Sequence, residues 1–316
     1  MLSSVRSYRF LQFDVFTSQL FGGNQLAVFP DARGLSPETM QAIAKEMNFS
    51  ETTFVLPADA PGIDCRMRIF TPGNELPIAG HPTIGSTFAL ARTGAIAAGR
   101  ESCVFGLGIG PTPVTLTWKD QDLAFAWMTQ SLPAFSEPLS NRSLAATALG
   151  LSDAAVGGAG LPVQVVSCGV PFVLVPLATR SAVDSAVINR EALDRLLHQA
   201  GVEAHGVFLF STERAPATST GQQGDKATAY SRMFAPAIGV HEDAATGIAS
   251  GPLGCYLVRH KIVTPAKAAA MLSVQGVLMG RPSQVHISIG VEGGDIRSVR
   301  VGGESVLAGE GTLYIP

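Results

Sequence analysis

Two stretches of this chain place apolar residues every three to four positions, the spacing of a single helix face. After Ser36-Pro37-Glu38 come Met40, Ile43, Ala44 and Met47; after Asn189-Arg190-Glu191 come Ala192, Leu193, Leu196 and Leu197. Ser36 and Asn189 are N-cap residue types, and Pro37 suits the first helical position. Each predicted helix leads to a short apolar strand, 53–56 in one case and 207–210 in the other. Each is preceded by two strands around a turn: 9–16 and 25–29 about Gly22-Gly23-Asn24, then 163–167 and 170–176 about Cys168-Gly169. Farther along each half, a small-residue turn opens an apolar, helix-like segment, 82–92 and 247–259.

The order strand–strand–helix–strand–strand–turn–helix therefore occurs twice, and the letters echo it. Arg68-Ile69-Phe70-Thr71-Pro72 is answered by Arg232-Met233-Phe234-Ala235-Pro236, an offset of 164. Glu38 and Glu191 are offset by 153, and Phe54 and Phe208 by 154. The growth in offset falls in the polar loop 211–225, which is longer than its counterpart 57–63. Helices spaced among hairpin-like strands, with further strands at 114–118 and 285–289, predict an α+β fold rather than a parallel βαβ sheet. Two similar domains are expected, 1–128 plus 303–316 and 129–302, the boundary lying just before the proline-rich turn 131–138. Two half-barrels facing one another would set equivalent turns on either side of one cleft, a common place for a ligand.

Composition agrees with two packed domains: 316 residues, 46% hydrophobic and only 15% charged. A net charge of −3 without runs of one sign is a poor footprint for nucleic acid. The longest uncharged stretch, 154–179, is broken by Gly157, Gly158, Gly160, Pro162, Gly169, Pro171 and Pro176, so no membrane span is expected. Residues 1–10 have no apolar core of a secretory signal. Cys65, Cys103, Cys168 and Cys255 form no CxxC pair and read as free thiols in a reducing compartment, which places the protein in the cytoplasm. Gly106-Leu107-Gly108-Ile109-Gly110 leads into Pro111, Pro113 and a strand, not the helix a nucleotide loop requires.

Candidate chemistry gathers at the two turns. Ala79-Gly80-His81-Pro82 and Ala244-Ala245-Thr246-Gly247 each precede a helix, whose first turn offers unpaired N–H groups and partial positive charge. Small residues let an anion approach those groups; alternatively, the glycines only permit tight turns. Glu51 enters an apolar strand, where a carboxylate tends toward a raised pKa suited to proton transfer, or else sits solvated at a strand start. Glu242 and Asp243 are either ligand-facing or capping carboxylates, and His81 is either a site residue or a backbone-bonded histidine.

Several segments in order resemble the PhzF-like phenazine-biosynthesis family, whose members share the diaminopimelate-epimerase fold. They are Phe21-Gly22-Gly23-Asn24, Met47-Asn48-Phe49-Ser50-Glu51-Thr52-Thr53-Phe54, Arg68-Ile69-Phe70-Thr71-Pro72 and Glu75-Leu76-Pro77-Ile78-Ala79-Gly80-His81-Pro82-Thr83. Met233-Phe234-Ala235-Pro236, Glu242-Asp243-Ala244-Ala245-Thr246-Gly247 and Gly280-Arg281-Pro282-Ser283 complete the set. The resemblance implies a curved, mostly antiparallel sheet around a central helix in each domain, and a cofactor-free, metal-free isomerase acting as a homodimer on a small carboxylate such as trans-2,3-dihydro-3-hydroxyanthranilate. It implies Glu51 as the acid/base, His81 and Asp243 as groups that hydrogen-bond the substrate, and Gly80, Thr246, Gly247 and position 248 around the bound carboxylate. The family often has Ser where this chain has Ile248, which removes a hydroxyl and leaves the substrate open. Racemases and epimerases of the fold use two cysteines where this chain has Ala79 and Ala244, which disfavours the alternative of an amino-acid epimerase. A non-catalytic small-molecule binder is the other alternative.

Overall fold

The computed structural model describes residues 5–202, 206–214 and 226–315; of the expected polar loop, 215–225 lie outside the described residues. In chain order the elements begin β1 (Arg6–Val15), β2 (Asn24–Phe29), α1 (Pro37–Met47), β3 (Glu51–Pro57), β4 (Cys65–Phe70), β5 (Glu75–Leu76), α2 (Gly80–Arg92), β6 (Ser102–Leu107), β7 (Gly110–Lys119) and β8 (Asp122–Gln130). They continue with β9 (Ala134–Pro138), α3 (Arg142–Ala148), β10 (Gln164–Ser167), β11 (Pro171–Pro176), α4 (Arg180–Ser185), α5 (Arg190–Ala200), β12 (Val207–Ser211), β13 (Ala229–Ala235) and β14 (Val240–Asp243). The last are α6 (Gly247–Arg259), β15 (Met271–Gln275), β16 (Ser283–Glu292), β17 (Asp295–Gly303) and β18 (Ser305–Ile315). Two compact units result, Met1–Thr129 with Gly302–Pro316, and Gln130–Val301. Among the described residues no helix is long and apolar enough to cross a membrane.

The repeat read from the letters is also a repeat of strand pairing. In the first unit β1–β2 is antiparallel, β2–β3 parallel, β3–β4 and β4–β5 antiparallel, β4–β6 parallel and β6–β7 antiparallel. In the second, β10–β11, β11–β12, β12–β13, β13–β14, β13–β15 and β15–β16 follow with the same six senses in the same order. The last strand, β18, pairs antiparallel with β1 over its whole length. The fold is α+β, of the diaminopimelate-epimerase-like type.

Each unit has an amphipathic helix on one face of its sheet, α1 or α5 (joined in the second unit by the short α3 and α4), and one buried helix on the other. α1 is capped by Ser36, starts at Pro37, and ends at Asn48 in the left-handed conformation. Its apolar face, Met40 and Ile43, packs on Phe29, Phe54 and Phe70. By contrast α2 is buried on every side from Gly80 to Leu90, its polar side chains Thr83, Ser86 and Thr87 being hydrogen-bonded inside the unit. It lies so close to β1 and β2 that a Cβ on Gly85 would come within 2.6 Å of Leu26 and 2.7 Å of Val15. α6 repeats this in the second unit, where a Cβ on Gly254 would meet Ile287 of β16 at 2.5 Å.

The equivalence of Phe54 and Phe208 expected from the sequence is off by one residue. Phe54 faces α1, whereas Phe208 belongs to the cluster around Leu253 and Tyr256 of α6. Strand register shows the true match: Phe54 stands opposite Arg68, and Leu209 stands opposite Arg232. A slip of one residue inverts the faces of a strand, so an aromatic match alone misassigns it. The arginines do correspond. Arg68 grips Glu75 with two bonds of 2.8 and 2.6 Å and lies over Phe70; Arg232 grips Glu242 with two of 2.8 and 2.9 Å and lies over Phe234. Glu242, one of the candidate carboxylates, is thereby committed to structure.

The two pairs differ in depth. Arg232 and Glu242 are 11% and 15% exposed, against 20% and 40% for Arg68 and Glu75. Arg232 also donates to the carbonyls of Val183, Asp184 and Ala186, tying the end of α4 to β13. Removing one partner of a buried pair strands the other, typically at ~3 kcal/mol or more, whereas exposed pairs contribute at most ~1 kcal/mol. Urea denaturation should therefore find Arg232→Met destabilising by several times as much as Arg68→Met; equal costs would contradict this ranking.

Candidate active site

Glu51 is the first residue of β3, placed there by the left-handed turn at Asn48 that ends α1 and by pairing beside Leu26 of β2. Side chains alternate along a strand, so Glu51 and Thr53 share the face toward α2 while Phe54 takes the face toward α1. Thr53 Oγ1 lies 2.8 Å from Ser86 Oγ of α2, and Glu51 Oε2 lies 3.1 Å from His81 Nε2. Glu51 is 8% exposed and His81 3%. The Glu51–His81 contact is at hydrogen-bond distance without being in line for one, which is common in catalytic pairs before substrate binds.

The far side of the imidazole is held by β2. Asn24 Nδ2 lies 3.1 Å from His81 Nδ1, and Asn24 Oδ1 accepts from Ser50 Oγ at 3.1 Å. Asn24 reaches this position through Gly23, whose φ is +63° and whose Cβ, if present, would lie 2.3 Å from Val15 O. Burial drives the His81 pKa down from 6.5 to about 3, opposed by hydrogen bonding with the Gln25 backbone. The Glu51–His81 pair is consequently a carboxyl beside a neutral imidazole, not an ion pair.

In the second unit Asp243 closes β14 and is 5% exposed. Thr246 Oγ1 donates to its Oδ2 at 2.6 Å. Gln275, fully buried at the end of β15, donates to Asp243 O at 2.7 Å and to Thr246 Oγ1 at 3.0 Å, and accepts from Thr246 N at 3.0 Å. Gln130 Nε2 donates to Gly247 O at 3.0 Å. Thr246 is therefore a framework residue whose amide and hydroxyl are both engaged. Ile248 packs against the apolar cluster around α6.

Capping sets two helices apart. α1, α3, α4 and α5 each have a side-chain N-cap, from Ser36, Asn141, Thr179 and Asn189. α2 and α6, which begin at Gly80 and Gly247, have none. Among the α-helices of the described residues, only those entered through the two candidate turns leave their first N–H groups without a side-chain acceptor. Ala79 is the N-cap of α2; the N-cap of α6 is Thr246, two positions beyond Ala244. The four thiols are free: Cys65 and Cys103 lie on β4 and β6, each pushed up to about 12 by burial, and Cys168 and Cys255 lie 3.9 Å apart.

The structure thus brings Glu51 and His81 together in one unit, and Asp243, Thr246, Gly247 and Ile248 in the other, with Gly80 at the start of α2. Sequence reasoning gave no role to Asn24, Ser50, Gln275 or Gln130. Gln275 had a readable signal, a glutamine closing an otherwise apolar strand; Asn24 had another, its place after two glycines. Among the described residues no cluster of three or more His, Cys, Asp or Glu is arranged to hold a metal. The large groove of about 820 Å³ on the second unit, lined by Phe135, Arg259, Lys261 and Arg297 among others, contains none of these residues.

Residues 13–311 match the family described as phenazine biosynthesis-like protein, PhzC-PhzF. A trans-2,3-dihydro-3-hydroxyanthranilate isomerase of Pseudomonas aeruginosa is 35% identical over 308 residues, covering 98% of this chain and all of its own. A protein of Mesorhizobium japonicum described as an uncharacterized isomerase is 34% identical over 315 residues, with the same coverage. A crystal structure of a PhzF-family phenazine biosynthesis protein from Bacillus anthracis superposes with a TM-score of 0.83 at 25% identity, over 98% of this chain and all of that one. With the match extending over nearly the whole chain, the protein belongs to the PhzF family of phenazine biosynthesis-like proteins and is an isomerase.

Proposed function

We propose that the protein moves a proton between two carbons of a small carboxylate without a cofactor, with Glu51 as the single acid/base. The observation that carries this reading is a carboxyl buried on the α2 face of β3, 3.1 Å from the ring of a neutral histidine. The Glu51 carboxylate takes a proton from one substrate carbon, leaving a delocalised anion. The protonated Glu51 then returns that proton to a second carbon, so that composition and charge are unchanged overall. Exclusion of water keeps the proton on the carboxyl between the two steps.

The remaining groups serve binding in this reading. A substrate carboxylate takes the place of a missing side-chain cap at Gly80 or at Gly247, where first-turn N–H groups and the helix dipole favour an anion. Asp243, held by Thr246, accepts from an amino or hydroxyl group of the substrate, and His81 donates to it. Trans-2,3-dihydro-3-hydroxyanthranilate, for which relatives are named, offers the required carboxylate, amine and hydroxyl and is the first compound to assay. The reading carries with it the resemblance's expectation of a cytoplasmic homodimer. An epimerase using two opposed thiols is disfavoured, since Ala79 and Ala244 supply none and the buried Cys65 and Cys103 stay protonated near neutral pH.

Glu51→Gln keeps size and hydrogen-bonding capacity but cannot carry the proton. It should lower kcat on this compound by ~10³-fold or more, within the range of general acid–base effects. Full turnover in that variant would refute the assignment.

His81 supplies a second expectation. Its folded pKa of about 3 lies below the unfolded value near 6.5, so its contribution to stability is complete above about 6.5. That contribution is lost progressively as pH falls toward 3, because only the unfolded chain gains the proton readily. The stability gap between wild type and His81→Asn, measured in urea at pH 7.5 and 5, should therefore narrow at the lower pH. A gap that widens at pH 5 would contradict it.

A further inference from the structure

We propose that Gln275 is a positioning residue for substrate binding, holding Asp243 and Thr246 so that the Asp243 carboxylate is set to receive a hydrogen-bond donor of the substrate. The Gln275 side chain is fully buried, and backbone groups fix the sense of its amide. A backbone N–H can only donate and a backbone carbonyl can only accept. Thr246 N at 3.0 Å from Oε1 and Asp243 O at 2.7 Å from Nε2 therefore decide which end of the amide is which. The second hydrogen on Nε2 meets a lone pair of Thr246 Oγ1 at 3.0 Å. The hydroxyl hydrogen is then directed to Asp243 Oδ2, 2.6 Å away. Three side chains thus form one run of donors that ends on the carboxylate.

The duplication supplies an internal control. Leu76 of β5 stands opposite Ile69, and Asp243 of β14 stands opposite Met233, each partner being the residue after the matched arginine, so Leu76 and Asp243 correspond. Ala79 and Thr246 correspond as the N-caps of α2 and α6. Cys65 pairs with Phe105 and Ala229 with Ser273, so Leu107 at the end of β6 corresponds to Gln275 at the end of β15. The next residue is a glycine pressed against the same turn in both units. A Cβ on Gly108 would lie 2.7 Å from Pro77 Cα, and one on Gly276 would lie 2.6 Å from Ala244 O. One unit therefore builds this turn with Leu76, Ala79 and Leu107, the other with Asp243, Thr246 and Gln275. The scaffold stands with apolar side chains at all three places, so the fold does not call for the polar set.

The consequence rests on the reading of Asp243 as a carboxylate that binds substrate. A carboxylate free to turn about its side-chain bonds loses that freedom when a ligand arrives; one already held by the Thr246 hydroxyl does not. Gln275 secures both members at once, through the Asp243 carbonyl and the Thr246 amide and hydroxyl, and it does so without bringing a charge beside the carboxylate. It acts through Asp243.

The test reads kcat and KM of the full-length protein on trans-2,3-dihydro-3-hydroxyanthranilate for wild type, Gln275→Leu, Gln275→Glu, Asp243→Asn, and each Gln275 variant combined with Asp243→Asn. Gln275→Leu installs the first unit's residue. Gln275→Glu keeps the shape and the acceptor for Thr246 N, yet a carboxyl in either protonation state cannot supply both Nε2 bonds, so it carries the test if Gln275→Leu does not fold. Each Gln275 variant should raise KM ~10-fold or more with a smaller change in kcat. A merely structural glutamine would instead lower the active fraction, and with it kcat, leaving KM as it was. The combined variants should be no worse than Asp243→Asn alone, because Gln275 acts through that carboxylate. Wild-type KM in the folded Gln275 variants, or losses that multiply in the combined ones, overturns the proposal. Failure of the underlying reading shows differently, as wild-type kcat and KM in Asp243→Asn, and that result overturns both.

Discussion

A carboxyl that is to carry a proton between carbons must be kept from water, yet a carboxylate buried among apolar side chains is costly unless it has polar company. The first unit reconciles these demands with a neutral partner. His81, almost wholly buried, stays uncharged to well below neutral pH, so the pair with Glu51 is polar without being an ion pair. A cation in its place would hold the carboxylate as the weak base of a salt bridge, as Arg232 holds Glu242 and Arg68 holds Glu75. The chain has both arrangements, and the difference separates a framework carboxylate from one suited to proton transfer.

The scaffold around that pair follows from duplication. Six strand pairings recur with the same senses, and each unit wraps its sheet on a helix that is buried almost throughout. A helix so enclosed has little room for a capping side chain, and the glycine at its entry leaves the first N–H groups accessible. Both enclosed helices are uncapped, whereas the amphipathic helices have Ser, Thr or Asn caps. Divergence between the copies then lies in what surrounds each entry: Glu51, His81 and Asn24 in one unit, Asp243, Thr246 and Gln275 in the other.

Much of this was legible in the sequence because it rests on local rules. The period of α1 and α5, their caps, and the Arg-x-Phe echo in β4 and β13 all depend on near neighbours. The ordered motifs pointed to the family and, through it, to Glu51 and His81. What stayed hidden depends on register and on contacts distant in sequence. Phe54 and Phe208 looked equivalent as letters, but Phe54 stands opposite Arg68 whereas Phe208 stands opposite Met233, one place from Arg232, which puts them on opposite faces of their strands. Asn24 and His81 are 57 positions apart and Thr246 and Gln275 are 29 apart, so no window of sequence displays either contact. Glu242 and Asp243 are adjacent carboxylates, and only the structure shows that the first is bound to Arg232 and the second to Thr246.

The central claim is that one sheltered carboxyl both removes and returns the same hydrogen. Single-turnover reaction in ordinary water of a substrate carrying deuterium at the carbon that loses its hydrogen tests this most directly, with the product read by mass spectrometry. Transfer through one water-excluded carboxyl predicts product molecules that keep the deuterium at the new carbon. Product whose new hydrogen comes entirely from solvent, even at the shortest times, would contradict it.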